Sequence, residues 1–259
     1  MDPKARMPDP EATWKTLYGV AAACALLIVL VAVGDVVTMF FEGDVAAPGS
    51  RAAGDWLVQL HDHRLLAMRN LGLLNIVNLV LELPIFLALW HAHRRVDPAF
   101  ATLATSLLVI GAAVYVARNT VFSMDALAVQ YAAAGSEAQR ASIAAAGQAL
   151  AALGEDLTPG MLMGFVLTEL AGLVMALVML FGRVFGRWTA AVGVAGFGAL
   201  LVFNLLAALV PSAYGAALGL GALGGLLMIA WYVLVARSFA QLARGGRAVA
   251  RPLAATGAP

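Results

Sequence analysis

Lysine is almost missing from this chain: Lys4 and Lys15 are the only two, against 14 arginines. Neither falls within a long apolar run, so a lysine Schiff base of the retinal type is excluded from those runs. The single cysteine, Cys24, excludes an intramolecular disulfide framework and a cysteine zinc site. Its place in an apolar run suits a small buried hydrophobe. Charged residues make up 12% of the chain, about half the share of an ordinary soluble domain. A formal net charge of +1 argues against a nucleic-acid binder, which needs a basic face. There is no glycine-rich phosphate loop after a strand, no Gly-x-Ser-x-Gly and no His-Glu-x-x-His. Two glutamates could imitate an acid/base pair, but no nucleophile accompanies them, so a membrane enzyme ranks third among the function classes.

What the chain has in abundance is apolar surface. It is 62% hydrophobic with a mean hydropathy of +0.88, which points to lipid as its main solvent. A helix needs roughly 20 apolar residues to cross a bilayer core about 30 Å thick. Six stretches meet that requirement, at 17–41, 71–90, 98–117, 159–181, 189–210 and 213–236. Their apolar runs are continuous, whereas a barrel strand alternates. We therefore expect an all-α, polytopic integral membrane protein with six transmembrane helices. Residues 1–241 form one six-helix domain in this reading, and 242–259 a flexible tail. The first apolar run is too long for the core of a secretory signal and reads as a retained helix.

Local chemistry places several helix ends. Asp97-Pro98 and Thr158-Pro159 each set a capping residue before a proline suited to the first helical position. Pro211-Ser212 marks a tight turn that would make the last two helices antiparallel neighbours. Of the 16 basic residues, eleven fall on one side of the spans (Lys4, Arg6, Lys15, Arg94, Arg95, Arg183, Arg187, Arg237, Arg244, Arg247, Arg251). The other side holds Arg51, Arg64, Arg69, Arg118 and Arg140. The richer side is expected to be cytoplasmic, with both ends inside. Arginine over lysine, with abundant alanine and glycine, suits a GC-rich bacterial genome, hence a bacterial cytoplasmic membrane.

The outer loops carry amphipathic helices. "SRAAGDWLVQLHDHRLL" aligns Trp56, Leu57 and Leu60 on one face after a cap at Ser50, and reads as a helix lying under the headgroups. "SEAQRASIAAAGQALAALG" opens on a Ser-x-x-Gln capping box and closes at Gly154. Small residues recur at four-residue spacing: Gly164, Thr168, Gly172 and Ala176; Ala195 and Ala199, near Gly193 and Gly196; Ala217, Gly221 and Gly225, with Gly215 and Gly219. Such stripes let helices approach closely in lipid or mediate association with another copy or another membrane protein.

The polar residues inside the spans carry what function is legible. Asn75, Asn78 and Glu82 share one helix face. A charge at the bilayer centre costs about 2.5–3.5 kcal/mol, so that face should turn inward. Pro84 removes a hydrogen bond to the Val80 carbonyl and should kink the helix there. Counting from helix ends puts Glu169 at nearly the depth of Glu82. Asp35 and Asn204 fall in the same outer half, with Arg118 at the interface above. The expected site is therefore Glu82, Glu169, Asn78, Asn75, Asp35, Asn204 and Arg118, a polar cluster that binds or translocates a small ligand or a proton. The alternative is a structural or accessory subunit in which these groups only lock the bundle. No cofactor is implied, and membrane lipid is the partner expected in either case.

The histidines come as His61-Asp62-His63 and His91-Ala92-His93. Side chains two apart on a helix diverge, and the two pairs lie a bilayer apart, so no four-histidine metal site is expected. His91, His93, Arg94 and Arg95 read as a basic anchor near anionic lipid.

Two further stretches set a layout: "HRLLAMRNLGLL" leads into the second span and a short basic turn, and "FATLATSLLVIGAAVYV" follows, with a long outer loop before the fourth span. In that layout most of residues 16–236 resembles a bacterial membrane-protein family known as domain of unknown function 4386. The resemblance implies six spans and carries no activity or site residues. "NLVLELP" departs from the pattern expected at its position.

Overall fold

The computed structural model describes residues 10–42 and 49–245. Most of the tail expected at 242–259, with Arg247 and Arg251, lies outside them, as do Lys4 and Arg6. Among the described residues ten α-helices follow one another: α1 (Pro10–Glu42), α2 (Ala53–Asp62), α3 (Arg64–Asn70), α4 (Leu73–His93), α5 (Pro98–Arg118), α6 (Val121–Ala132), α7 (Glu137–Gly154), α8 (Leu162–Gly182), α9 (Arg187–Leu209) and α10 (Tyr214–Ala243). Six of the helical segments are long and apolar enough to cross a membrane. The protein is thus an all-α, multi-pass membrane protein.

The six long helices close into a ring, in the order α1, α4, α5, α8, α9, α10 and back to α1. One half of the ring is filled by a large apolar core. Ile85, Phe86 and Leu89 from α4 meet Leu108, Met175, Met179, Trp231, Val235 and Phe239 there. Tyr18 stacks on Phe239, so the start of α1 and the end of α10 share one side. Arg94, Arg95, Arg183 and Arg187 lie in or beside the short connections on that side.

Several local expectations hold at atomic level. Asp97 caps α5 by accepting from the Phe100 N–H at 3.1 Å, with Pro98 in the first turn. Ser136 caps α7 by accepting from the Gln139 N–H at 3.2 Å. The Gln139 side chain returns to the Gly135 N–H at 3.1 Å, one residue earlier than a reciprocal box requires. A 3-10 turn, Pro211–Ala213, joins α9 to α10, which pack side by side.

Other expectations are corrected. α8 starts at Leu162, not at Pro159; Thr158 instead donates to the Glu155 carbonyl at 2.6 Å within the preceding loop. Gly160 packs so closely on the end of α7 that a Cβ would lie 2.5 Å from the Leu153 carbonyl oxygen. α2 is preceded by Ala52 rather than capped by Ser50. Its apolar face does not lie on headgroups. Trp56, Leu57 and Leu60 are buried with Ala67 and Met68 of α3 and Val121, Met124 and Ala128 of α6, forming a second, smaller core. α6 itself falls in what reads as outer loop. Asn119 breaks it from α5 by accepting from the Val121 N–H and donating to the Leu71 carbonyl, both at 3.0 Å. Together α2, α3, α6 and α7 form a folded cap over one end of the ring.

Close helix approach uses only part of the small-residue stripes. Gly164 meets Tyr115 of α5, Gly172 lies under the Phe197 ring of α9, and a Cβ at Gly111 would sit 2.9 Å from Thr168. In α9 the contact residues are Gly193, against Trp231, and Gly196, against Met228, rather than Ala195, which is exposed. In α10 they are Gly221 and Gly224; Gly215, Gly219 and Gly225 touch no neighbour.

Candidate functional site

α4 meets α8 over only a short stretch, although both face the inside of the ring. The gap between them is a cavity of about 120 Å³. Asn75, Asn78, Leu79 and Glu82 line it from α4, Tyr115 from α5, Phe165, Thr168 and Glu169 from α8, and Phe197 from α9. The close approaches at Gly111 and Gly172 pull α5 and α9 tightly onto α8, while α4, with its amides and carboxylate, stands off. The spacing that aligns Asn75, Asn78 and Glu82 on one face thus aims all three at the same space as Glu169.

The two carboxyl groups are treated differently. The Tyr232 hydroxyl, from α10 across the ring, donates to Glu82 Oε1. Glu169 Oε2 is buried and has no hydrogen-bond partner, as is Asn78 Oδ1. Buried polar atoms are seldom left so. Most donors around the cavity are already committed. Tyr115 donates to Asp156 Oδ1 at 2.6 Å, and Asn75 Nδ2 to Asp156 Oδ2 at 2.7 Å. The Thr168 hydroxyl bonds back to the Gly164 and Phe165 carbonyls at 3.1 and 3.0 Å. None of the lining residues is basic.

Asp156 closes the end of this space that faces the helical cap. It sits in the loop between α7 and α8 and ties α4 to α5 through Asn75 and Tyr115. Burial pushes its carboxyl up to about 6, against the lowering effect of the Tyr115 and Asn75 hydrogen bonds. Its neighbour Glu155 is raised as well, chiefly by burial, and accepts from the Gly49 N–H at 2.9 Å. Gly72 fits under this latch with φ +88°; a Cβ there would lie 2.5 Å from the Tyr115 hydroxyl and 2.7 Å from Asp156 Oδ2. The opposite end of the cavity is stopped by the apolar core.

Of the seven residues singled out from sequence, four line the cavity: Glu82, Glu169, Asn78 and Asn75. Three do not. Asp35 pairs with Arg69 at 2.7 Å, away from the lining, and the Arg69 guanidinium also donates to the Asp35 carbonyl. Arg118 donates to the Gly160 carbonyl at 2.7 Å and so pins the turn before α8. Asn204 is buried on α9, about 10 Å along the axis from Phe197. Val80 is exposed and contributes nothing to the lining, so the carbonyl freed by Pro84 does not build the pocket. Tyr232, Tyr115 and Asp156 were missed. Asp156 had one available signal, an acid flanked by Gly154 and Pro159 immediately before a span.

The histidines are also reassigned. His93 is fully buried, with Nδ1 2.8 Å from the Leu89 carbonyl, and belongs to the core rather than to an anchor. His91 stacks on Trp14 with ring centroids 3.6 Å apart. Its Nε2 accepts from Arg94, so Nδ1 carries the proton and donates to the Tyr18 hydroxyl oxygen at 2.8 Å. His61 and His63 are exposed. Among the described residues no group of three or more His, Cys, Asp and Glu is placed to hold a metal ion.

Fold and site together define a polytopic membrane protein with six membrane-length helices and an acid-lined cavity between α4 and α8. Compared with known proteins, the chain matches no family model, no curated relative and no solved structure.

Proposed function

We propose that this protein binds a small ligand or a proton in the cavity between α4 and α8 and passes it across a bacterial cytoplasmic membrane. The observation that carries this reading is the pair of carboxyl groups on one cavity, with Glu169 Oε2 and Asn78 Oδ1 left without partners. A carboxyl that only locked two helices together would spend its oxygens on the neighbouring helix. Here an acceptor is held open, as a binding site requires. Entry from the side of the helical cap requires Asp156 to release Asn75 and Tyr115. The arginine-rich side, with both ends of the bundle, is cytoplasmic on the positive-inside rule.

The test is a pH jump across proteoliposomes, followed with a lumenal pH dye. Native protein should collapse the gradient faster than empty liposomes do. E82Q and E169Q should each slow it, and the double variant should match empty liposomes. A double variant as fast as native protein, or native protein no faster than empty liposomes, overturns the proposal.

Gly215 and Gly219 favour a second function, that of an accessory subunit. Both are exposed on α10 with no neighbour within 4 Å, as a helix docking against another membrane protein would present. Replacing both by leucine should then release a co-purifying partner while leaving the gradient assay unchanged.

A further inference from the structure

We infer that the ligand of this cavity is a small alkylammonium ion, with its N–H groups on Glu169 and Asn78 and its carbon body against Phe165 and Phe197. This deepens the reading above and rests on the same cavity.

Hydrogen-bond accounting selects the charge. Tyr115 and Asn75 already donate to Asp156, Tyr232 to Glu82, and Thr168 to its own helix. The buried lining atoms left unmatched are both acceptors, Glu169 Oε2 and Asn78 Oδ1. An anion would find almost no donor and two carboxyl groups opposing it. A neutral alcohol supplies one donor. A primary ammonium supplies three donors and a positive charge and accepts nothing, which fits Glu169, Asn78 and the free oxygen of Glu82.

Shape selects the body. A hydrophobic cavity of about 150 Å³ accommodates benzene, so about 120 Å³ takes some five or six non-hydrogen atoms. Part of the wall is aromatic, from Phe165 and Phe197. Ring faces attract cations, more strongly when both are out of water. Hydrated inorganic cations would leave these rings unused, and sugars exceed the space.

Native protein in lipid nanodiscs should be titrated with n-butylammonium and piperidinium, and in parallel with 1-butanol and butyrate, using ligand-observed NMR against protein-free nanodiscs. The two amines should bind and the two isosteres should not. E169Q should weaken the amines about tenfold or more, because a charge-assisted hydrogen bond is lost. F165L, which keeps the fold-stabilising bulk, should weaken them several-fold through the lost ring face. Tributylammonium should be excluded by size. Amines that bind no better than 1-butanol overturn the assignment, as does amine binding that E169Q and F165L leave unchanged. The gradient assay tells the two failures apart. Collapse that depends on Glu82 and Glu169 without amine preference leaves the cavity as a proton site and removes only the ammonium ion.

Discussion

Replacing Asp156 by asparagine should make the protein more stable at neutral pH, not less. Asp156 is half-buried, with its carboxyl raised from an ordinary 3.8 to about 6 and desolvation the largest cause. A raised acid is bound by protons in the folded state at pH values where the unfolded chain has already released them. Its stabilising effect is therefore complete below about pH 4 and is lost as pH rises through about 6. Carrying the ionised group at pH 7.5 costs on the order of 3 kcal/mol relative to acid conditions. The introduced amide keeps the shape and bears no charge. Its oxygen can accept from Asn75 and its nitrogen can donate to the Tyr115 hydroxyl oxygen. Thermal unfolding in nanodiscs at pH 4.5 and pH 7.5 checks this. The native protein should lose stability between the two, and D156N should lose much less. Burial raises Glu155 too, against the lowering effect of Gly49 and Arg51, and leaves D156N a residual slope of the same sign. Equal pH dependence in native protein and D156N would refute the reasoning, because Asp156 would then not be the titrating group. D156A should behave differently from D156N at every pH. It leaves the Tyr115 hydroxyl and the Asn75 amide without an acceptor, at about 1–3 kcal/mol for each group.

Further outcomes follow from single contacts. Tyr232→Phe strips Glu82 of its donor and should lower stability by about 1–3 kcal/mol, read as a drop in Tm with the helix content unchanged. Gly172→Ala drives a methyl into the Phe197 ring and should cost about 1–3 kcal/mol by overpacking; adding Phe197→Leu should recover much of it. Gly72→Ala combines a left-handed backbone with a Cβ 2.5 Å from the Tyr115 hydroxyl. It should destabilise the protein and speed hydrogen exchange in the loop before α8. Arg69→Ala strips Asp35, inside the first candidate span, of its cation and should cost more than the roughly 1 kcal/mol of a water-exposed pair, read as a drop in Tm.

The six spans were legible because lipid imposes one length and one composition on every crossing helix. The inward face of α4 was legible for a similar reason: Asn75, Asn78 and Glu82 fall at helical spacing, and lipid rejects all three. Counting residues from helix ends also put Glu169 beside Glu82 in depth. Depth says nothing about rotation around the helix axis, which neighbours decide. That is why Asp35 and Arg118, at suitable heights, turned out to serve Arg69 and the Gly160 turn instead. Tyr232 was hidden because a tyrosine in a span reads as interface or core until its partner is known. Asp156 was hidden in a loop whose fold depends on Gly160, Thr158 and the end of α7. α6 is not legible as a helix of the bundle because its 12 residues are too few to cross a bilayer, and its burial depends on α2, a partner outside its own sequence.

The contact between Glu82 and Tyr232 spans 150 positions, and this sets a condition on how the protein is made. At ribosomal speeds of about 5–20 residues per second, α4 emerges on the order of ten to thirty seconds before α10. Through that interval an incomplete chain carries Glu82 without its tyrosine, and α1 and α9 without the helix that joins them. A ribosome that stops short of α10 releases a product whose acid has no phenol to meet.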